Sequence, residues 1–332
     1  MAKFRTQLSS IAYPFQIAHQ QTILCIGSCF AKNMGRHLSN YKFDSSLNPF
    51  GILYNPVSIS EGINLLLDKE PFLPEDLFEY QGLWHSFYHH GQFSGPDKSA
   101  VLDHINVQLK IARTFLQKTD RLILTLGTAA AFQYKKTEKI IANCHKLPGN
   151  QFNKKLLSVA GCVLALSQTL KQLRALRPDL EVVLSVSPIR HLRDGLIENQ
   201  RSKATLLLAA AELEKTFPFV HYFPAYEIMM DDLRDYRFYE SDYAHPSVEA
   251  IDYIWNYFQD AFFAGDTKAI LEEVGKVLQA ARHRPFHVAS KAHQAFLRKQ
   301  LGLIEELEEQ YRFLDFEAER SGFLEQIDGE SI

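Results

Sequence analysis

The sequence predicts an α/β fold, a three-layer sandwich on a mainly parallel sheet, with a helical C-terminal extension. Three observations carry the prediction. Short runs of nearly unbroken apolar character end in Gly, Ser or Pro, as strands buried on both faces of a parallel sheet do. Stretches of helical periodicity alternate with them, which requires crossover connections and helices on both faces. Beyond Gly265 the strand-like runs stop and only amphipathic helical patterns remain.

In chain order the strands read as "TILCIGS" (22–28), "RLILTLG" (121–127), "EVVLSVSP" (181–188) and, less sharply, "VHYFPAY" (220–226). The helices between them fall at 31–40, 56–68, 99–118, 158–177 and 199–217. "SDYAHPS" (241–247) then leads into a helix with Val248, Ile251, Ile254, Trp255, Phe258 and Phe262 on one stripe. In an open parallel sheet the functional site lies beyond the carboxyl ends of the strands, where strand order reverses.

The natural division puts the sheet domain in residues 1–264 and the helical extension in 265–332. In the extension, Ile270, Leu271, Val274, Val277, Leu278 and Ala281 share one helix face. A last helix from about Ser290 carries Leu297, Ile304, Leu307, Tyr311 and Leu314 at spacings compatible with a heptad seam. These helices are expected to pack on the main domain or on an identical subunit, so a homodimer through them stays open.

Composition narrows the function classes. Of 332 residues, 46% are hydrophobic and 23% charged, the balance of a globular protein. Thirty-six basic residues against 39 acidic ones leave a charge of −3, so no electrostatic excess favours nucleic acid or an anionic membrane. The four cysteines, Cys25, Cys29, Cys144 and Cys162, form no C-x-x-C pair and read as reduced thiols; no cofactor or metal is expected. No signal-peptide core or transmembrane run is present, which makes the cytoplasm the default location.

Ser28 ends the first strand where a helix starts, so its hydroxyl sits at the carboxyl edge of the sheet beside free helix N–H groups. That suits a nucleophile whose own N–H helps to hold an oxyanion, and equally suits an N-cap serine. Asp242 and His245 stand three residues apart just before a helix. A carboxylate so placed can hold one imidazole nitrogen while the other faces a hydroxyl. "WHSFYHHGQFS" (84–94) offers His85, His89 and His90, without the Glu of an H-E-x-x-H zinc motif. "SPIRHLRDG" (187–195) offers Arg190, His191 and Arg193, either for an anionic substrate group or for salt bridges to the acidic "MDDLRD" segment (230–235). Cys29 is expected to turn away from Ser28 and, like Cys25, to pack.

Serine after the first strand and D-x-x-H after the last resemble the SGNH (GDSL-like) hydrolases. "IGSCFAKNMG" (26–35) is similar to the signature of the GSCFA family, a branch of that superfamily. "LNPFGILYNP" (47–56), "TLGTA" (125–129), "ANCHKLPG" (142–149), "SVSPIRHLRDG" (185–195), "NQRSKATL" (199–206) and "FPAYEIMMDDLRDYRFYESDYAHPS" (223–247) extend the likeness over residues 20–262. The resemblance implies a flavodoxin-like fold and ester or acyl hydrolysis, with Ser28 as nucleophile, His245 as general base and Asp242 as its orienting carboxylate.

It also implies an oxyanion hole from the N–H groups of Ser28 and Gly51 and an asparagine in a G-x-N-D block. "LTLGTAAAF" (124–132) lacks that block. Thr128 or, slightly favoured, Asn143 are the substitutes, with His145, His85, Arg190 and His191 as candidate substrate contacts. An O-acyl ester, of a small molecule or a carbohydrate, is the substrate class that family analogy suggests, for hydrolysis or acyl transfer. The missing block keeps a second reading open, a non-catalytic glycan- or metabolite-binding module on the same fold.

Overall fold

A computed structural model describes residues 5–9, 11–67 and 70–328. The first strand, β1 (Ile23–Gly27), is followed by α1 (Cys29–Asn40), β2 (Ser45–Leu47) and α2 (Pro56–Leu67). Asp68, expected to end this helix, lies outside the described residues. A hairpin, β3 (Leu77–Tyr80) with β4 (Leu83–Ser86), precedes α3 (Lys98–Lys118) and β5 (Arg121–Leu126). Three short strands follow, β6 (Ala130–Tyr134), β7 (Ile140–Ile141) and β8 (Phe152–Leu156), forming an antiparallel sheet of their own. Then come α4 (Val159–Leu176), β9 (Glu181–Val186), α5 (Leu196–Thr216), β10 (Val220–Phe223), the short α6 (Ala225–Glu227) and α7 (Val248–Phe262).

The central sheet has the order β10-β9-β5-β1-β2, and each neighbouring pair is parallel. Counting only its own strands along the chain, the order is 2-1-3-4-5, the flavodoxin-like arrangement, which reverses direction between β1 and β5. Every residue of β1 and β5 is buried, which explains their unbroken apolar runs. Leu24, Ile26, Leu122, Leu124, Val182 and Leu184 share a core with Ile59 and Ile63 of α2, Ile105 and Leu109 of α3, Leu166 of α4 and Leu206 of α5. The alternate residues point to the opposite face, where Phe258 of α7 meets Phe223 of β10 edge-on at 5.2 Å. Helices on both faces make the three layers.

The chain divides into two compact units, one of residues 1–13, 22–36 and 45–261, the other of 14–21, 37–44 and 262–332. In the second unit, α8 (Gly265–Arg282), α9 (Lys291–Gln310) and α10 (Glu317–Asp328) bury Val274, Val277, Leu297, Ile304, Leu307, Phe316 and Phe323 against one another. Ile17 joins this unit through its N–H to the Phe262 carbonyl at 2.7 Å, and Lys42 pairs with Glu319 at 2.7 Å. The heptad seam expected through Tyr311 and Leu314 is broken. The helix ends at Gln310, and Leu314 folds back in a turn through its N–H to the Tyr311 carbonyl. Among the described residues no helix is long and apolar enough to cross a membrane.

Candidate active site

Ser28 leaves β1 at the point of reversal. Gly27 before it has φ +144°, and a Cβ there would lie 2.2 Å from the Thr125 carbonyl oxygen, so only glycine lets β1 stay in register with β5. The Ser28 N–H continues the ladder to Thr125 O at 3.1 Å, and its Oγ accepts the Phe30 N–H at 3.2 Å, the cap of α1. The side chain is buried, with Gly127 packed beside it. A Cβ on Gly127 would sit 3.2 Å from both Ser28 Cβ and the Tyr54 ring.

Asp242 and His245 form a preorganised pair on an exposed turn. Asp242 Oδ1 accepts the N–H groups of Ala244 and His245, each at 2.9 Å, while Oδ2 lies 2.6 Å from His245 Nδ1. The His245 backbone N–H, its ring and the Ala244 N–H hold the carboxyl down to about 2. An ionised carboxylate only accepts, so Nδ1 carries the proton and Nε2 is left as the ring's free acceptor. Tyr243 closes the turn in the left-handed region, at φ 54°. Its neighbour Ala244 accepts the Arg190 N–H at 3.1 Å, which ties the turn to the end of β9. Among the described residues, no hydrogen bond joins Ser28 Oγ to the His245 ring.

The other expected residues divide. Gly51 is a glycine for conformational reasons: it has φ +75°, a Cβ would meet His90 Cβ at 2.3 Å, and its N–H donates to Asn48 O at 2.7 Å. The Thr128 hydroxyl is engaged by Ser202 Oγ at 2.9 Å and the Ala130 N–H at 3.0 Å. Asn143 accepts the His145 N–H at 2.9 Å within its own turn.

His85, on β4, and His145, in the turn after β7, are buried with their rings 4.6 Å apart. His85 bonds Ser94 Oγ and Tyr80 O, and His145 Nε2 bonds Ser86 O. Burial pulls His145 down to about 4. Both rings pack between the β3–β4 hairpin and the turn after β7, where Phe78 meets His145 at 5.8 Å. Cys29 Sγ rests 3.7 Å from the Tyr54 hydroxyl, and the buried Cys25 thiol is pushed up to about 12. A cavity of about 520 Å³ lined by Val57, Phe78, Phe87 and Tyr88 includes none of Ser28, Asp242 and His245.

His191 does stand at the site. Its ring meets Tyr54 edge-on at 5.5 Å and faces the Gly127 backbone. Burial first, then the Lys203 charge, pull it down to about 4, so the ring is neutral near pH 7.

Residues 22–258 match the GSCFA family. The chain belongs to the GSCFA family. Residues 274–329 match the description "GSCFA domain protein, C-terminal domain". The first GSCFA match spans every site residue from Ser28 to His245. No match was found among curated proteins. Among solved structures, an acetyl xylan esterase (Est2A) from the rumen bacterium Butyrivibrio proteoclasticus matches at 12% identity with a TM-score of 0.35. The match covers 79% of this GSCFA chain and 66% of that one.

Two features of this GSCFA site escape a sequence reading. Asn48, two residues before Phe50, accepts the Gly27 N–H at 2.8 Å through Oδ1, which fixes the orientation of its amide. Its Nδ2 is then a buried donor without a partner, one peptide away from Ser28. The second is the start of α5, where the buried stripe of Leu206, Ala210 and Leu213 continues into Asn199, Ser202 and Lys203. Asn199 accepts the His191 N–H at 2.9 Å, and Ser202 accepts the Ala129 N–H at 2.7 Å. Lys203, 1% exposed, donates to the carbonyls of Gly127 at 2.6 Å and Ser187 at 2.7 Å. It thereby clamps the end of β5, next to Ser28, to the end of β9, from which Arg190 holds the His245 turn. Polar residues on an otherwise apolar helical stripe were the available signal.

Proposed function

We propose that this protein is a serine hydrolase of the SGNH type that cleaves O-acyl esters through Ser28, His245 and Asp242. The observation that carries the reading is the Asp242–His245 pair. One carboxylate oxygen holds the backbone of the turn and the other holds the imidazole in one tautomer. A merely structural turn has no need to leave Nε2 as an acceptor.

In the proposed reaction the Ser28 oxygen attacks the ester carbonyl carbon while His245 Nε2 takes the hydroxyl proton. The tetrahedral intermediate expels the alcohol, which receives that proton from His245. Water then adds to the acyl-serine with the same base, releasing the acid and regenerating Ser28; a second alcohol in place of water makes the step a transfer. Closing the Ser28–His245 distance falls to the 239–246 turn on substrate binding, since catalytic hydrogen bonds often tighten only in the complex.

For the oxyanion, the Ser28 and Gly51 N–H groups each already donate within the fold, to Thr125 and Asn48. The Asn48 amide is the free donor beside the nucleophile, and we assign it the role that the sequence left to Asn143 or Thr128. Carbohydrate esters remain the substrate class suggested by family resemblance.

Labelling by a fluorophosphonate tests the nucleophile. Wild type is expected to label and Ser28→Ala not to. A folded wild type that fails to label, or a Ser28→Ala variant that labels equally, refutes the reading and leaves the binding module in its place.

A further inference from the structure

Arg190 is a feature of the β9 edge that the proposed reaction does not use. Its backbone N–H holds the Ala244 carbonyl, and its Nη1 reaches the Tyr243 carbonyl at 3.4 Å, so it is fixed to the turn that carries Asp242 and His245. The guanidinium lies 4.1 Å from the centre of the Tyr239 ring and 5.4 Å from that of Tyr236. These three residues, with Met229, Met230, Arg234 and Asp235, line a cavity of about 170 Å³.

Of the two readings left open by the sequence, salt bridges to the 230–235 segment are not made. Asp231 pairs with Arg234 at 2.7 Å, Asp232 accepts from the Leu8 N–H and the Tyr253 hydroxyl, and Asp235 accepts the Arg237 N–H. Among the described residues no carboxylate pairs with Arg190. The Tyr239 hydroxyl is buried in the same cavity, facing the Arg190 side chain and with no other partner among the described residues.

We infer that this cavity is a subsite for a carboxylate carried by the substrate, held by Arg190 and the Tyr239 hydroxyl beside the scissile ester. The inference rests on the hydrolase reading for its neighbour but not for its binding chemistry. The planar guanidinium is suited to a two-oxygen acceptor. Charge argues for a monoanion: Arg234 pairs with Asp231, and the Asp235 carboxylate in the same wall has Arg237 at 3.9 Å, which leaves Arg190 as the cation without a carboxylate. The Tyr239 and Tyr236 rings beside the charge suit the carbon frame of a small organic acid or an acidic sugar.

The test is selectivity. The full chain is assayed on two matched pairs of esters, acetylated methyl glucuronoside against acetylated methyl glucoside, and p-nitrophenyl succinate against p-nitrophenyl butyrate. The first pair places the carboxylate on the alcohol, the second on the acyl group. Wild type should favour the anionic member of at least one pair, and Arg190→Met should lower the anionic-to-neutral ratio of kcat/KM by about tenfold or more, the scale of one charged hydrogen bond. Arg190→Lys should fall between the two.

An equal drop on both members would make Arg190 only a strut for the His245 turn and would overturn the inference, as would a wild type without preference. Binding of methyl glucuronoside against methyl glucoside, followed by ligand-detected NMR on the Ser28→Ala chain, needs no turnover. If the hydrolase reading fails, a glucuronoside preference that Arg190→Met abolishes still supports the subsite, and equal binding of the two sugars overturns it.

Discussion

Replacing Lys203 by methionine removes a buried ammonium and keeps the volume of its stem. Burial lowers the Lys203 pKa from an ordinary 10.5 to about 7. The groups facing it are the two carbonyls, His191, and the Tyr226 ring at 6.0 Å. Below pH 7 the folded and unfolded chains both hold the proton, and the whole cost of burying the charge opposes folding. Between pH 7 and the ordinary lysine value the folded chain has released the proton while the unfolded chain still binds it. The unfolded state then binds more protons, so stability rises with pH at about 1.4 kcal/mol per unit. Lys203→Met lacks this term. The wild type should therefore gain about 2 to 3 kcal/mol on the variant between pH 7 and pH 9. Urea unfolding of both proteins at pH 6, 7, 8 and 9 measures the difference; titrating groups that do not interact with Lys203 cancel in the subtraction, and His191, which does, is neutral over this range in the folded wild type. The carbonyls at 2.6 and 2.7 Å act in the opposite sense, because they favour the charged form. A difference that stays flat from pH 6 to pH 9 would show that they dominate, and would refute the depressed pKa.

Two further substitutions probe the turn around Ser28. Asn48→Ala removes the proposed oxyanion donor and should lower kcat by about 10²- to 10³-fold with a small change in KM, measured on an ester substrate alongside a melting curve; a kcat within about twofold of wild type would move the role elsewhere. Gly27→Ala places a methyl 2.2 Å from the Thr125 carbonyl and forces alanine to φ +144°. Strain and overpacking together should cost about 3 to 5 kcal/mol, read as a lower urea midpoint, and an unchanged midpoint would show that the β1–β5 ladder tolerates the shift.

The central strands were legible because burial on both faces leaves almost no room for polar residues, and β1, β5 and β9 carry that constraint in every turn of sequence. β2 was not, since its three residues, Ser45, Ser46 and Leu47, are half-buried and too few to show a pattern. The antiparallel insertion was hidden for the opposite reason. β8, "FNKKL", buries only Phe152, so the sequence looks like a loop. Ser28 stood out because it sits at the start of α1, and Asp242 with His245 because of their D-x-x-H spacing ahead of α7. The partners of His85 and His145 were not legible, because a histidine looks alike in sequence whether its nitrogens meet a ligand or the carbonyls of Tyr80 and Ser86.

Asn48 and Lys203 were illegible for a different reason, the separation between cause and effect. Asn48 meets Gly27 across 21 residues, and Lys203 meets Gly127 across 76. In sequence the first resembles any turn asparagine before proline, the second any solvated lysine on a helix. Yet leaving a lysine buried is costly unless its position is used, because a methionine would fill the same space without desolvating a charge. Asn199, Ser202 and Lys203 together bind the backbone of His191, Ala129, Gly127 and Ser187, all at the carboxyl edge of the sheet. The polar start of α5 therefore accounts for what the apolar core cannot supply: it fixes the ends of β5 and β9 against each other, and with them the place of Ser28 relative to the turn of His245.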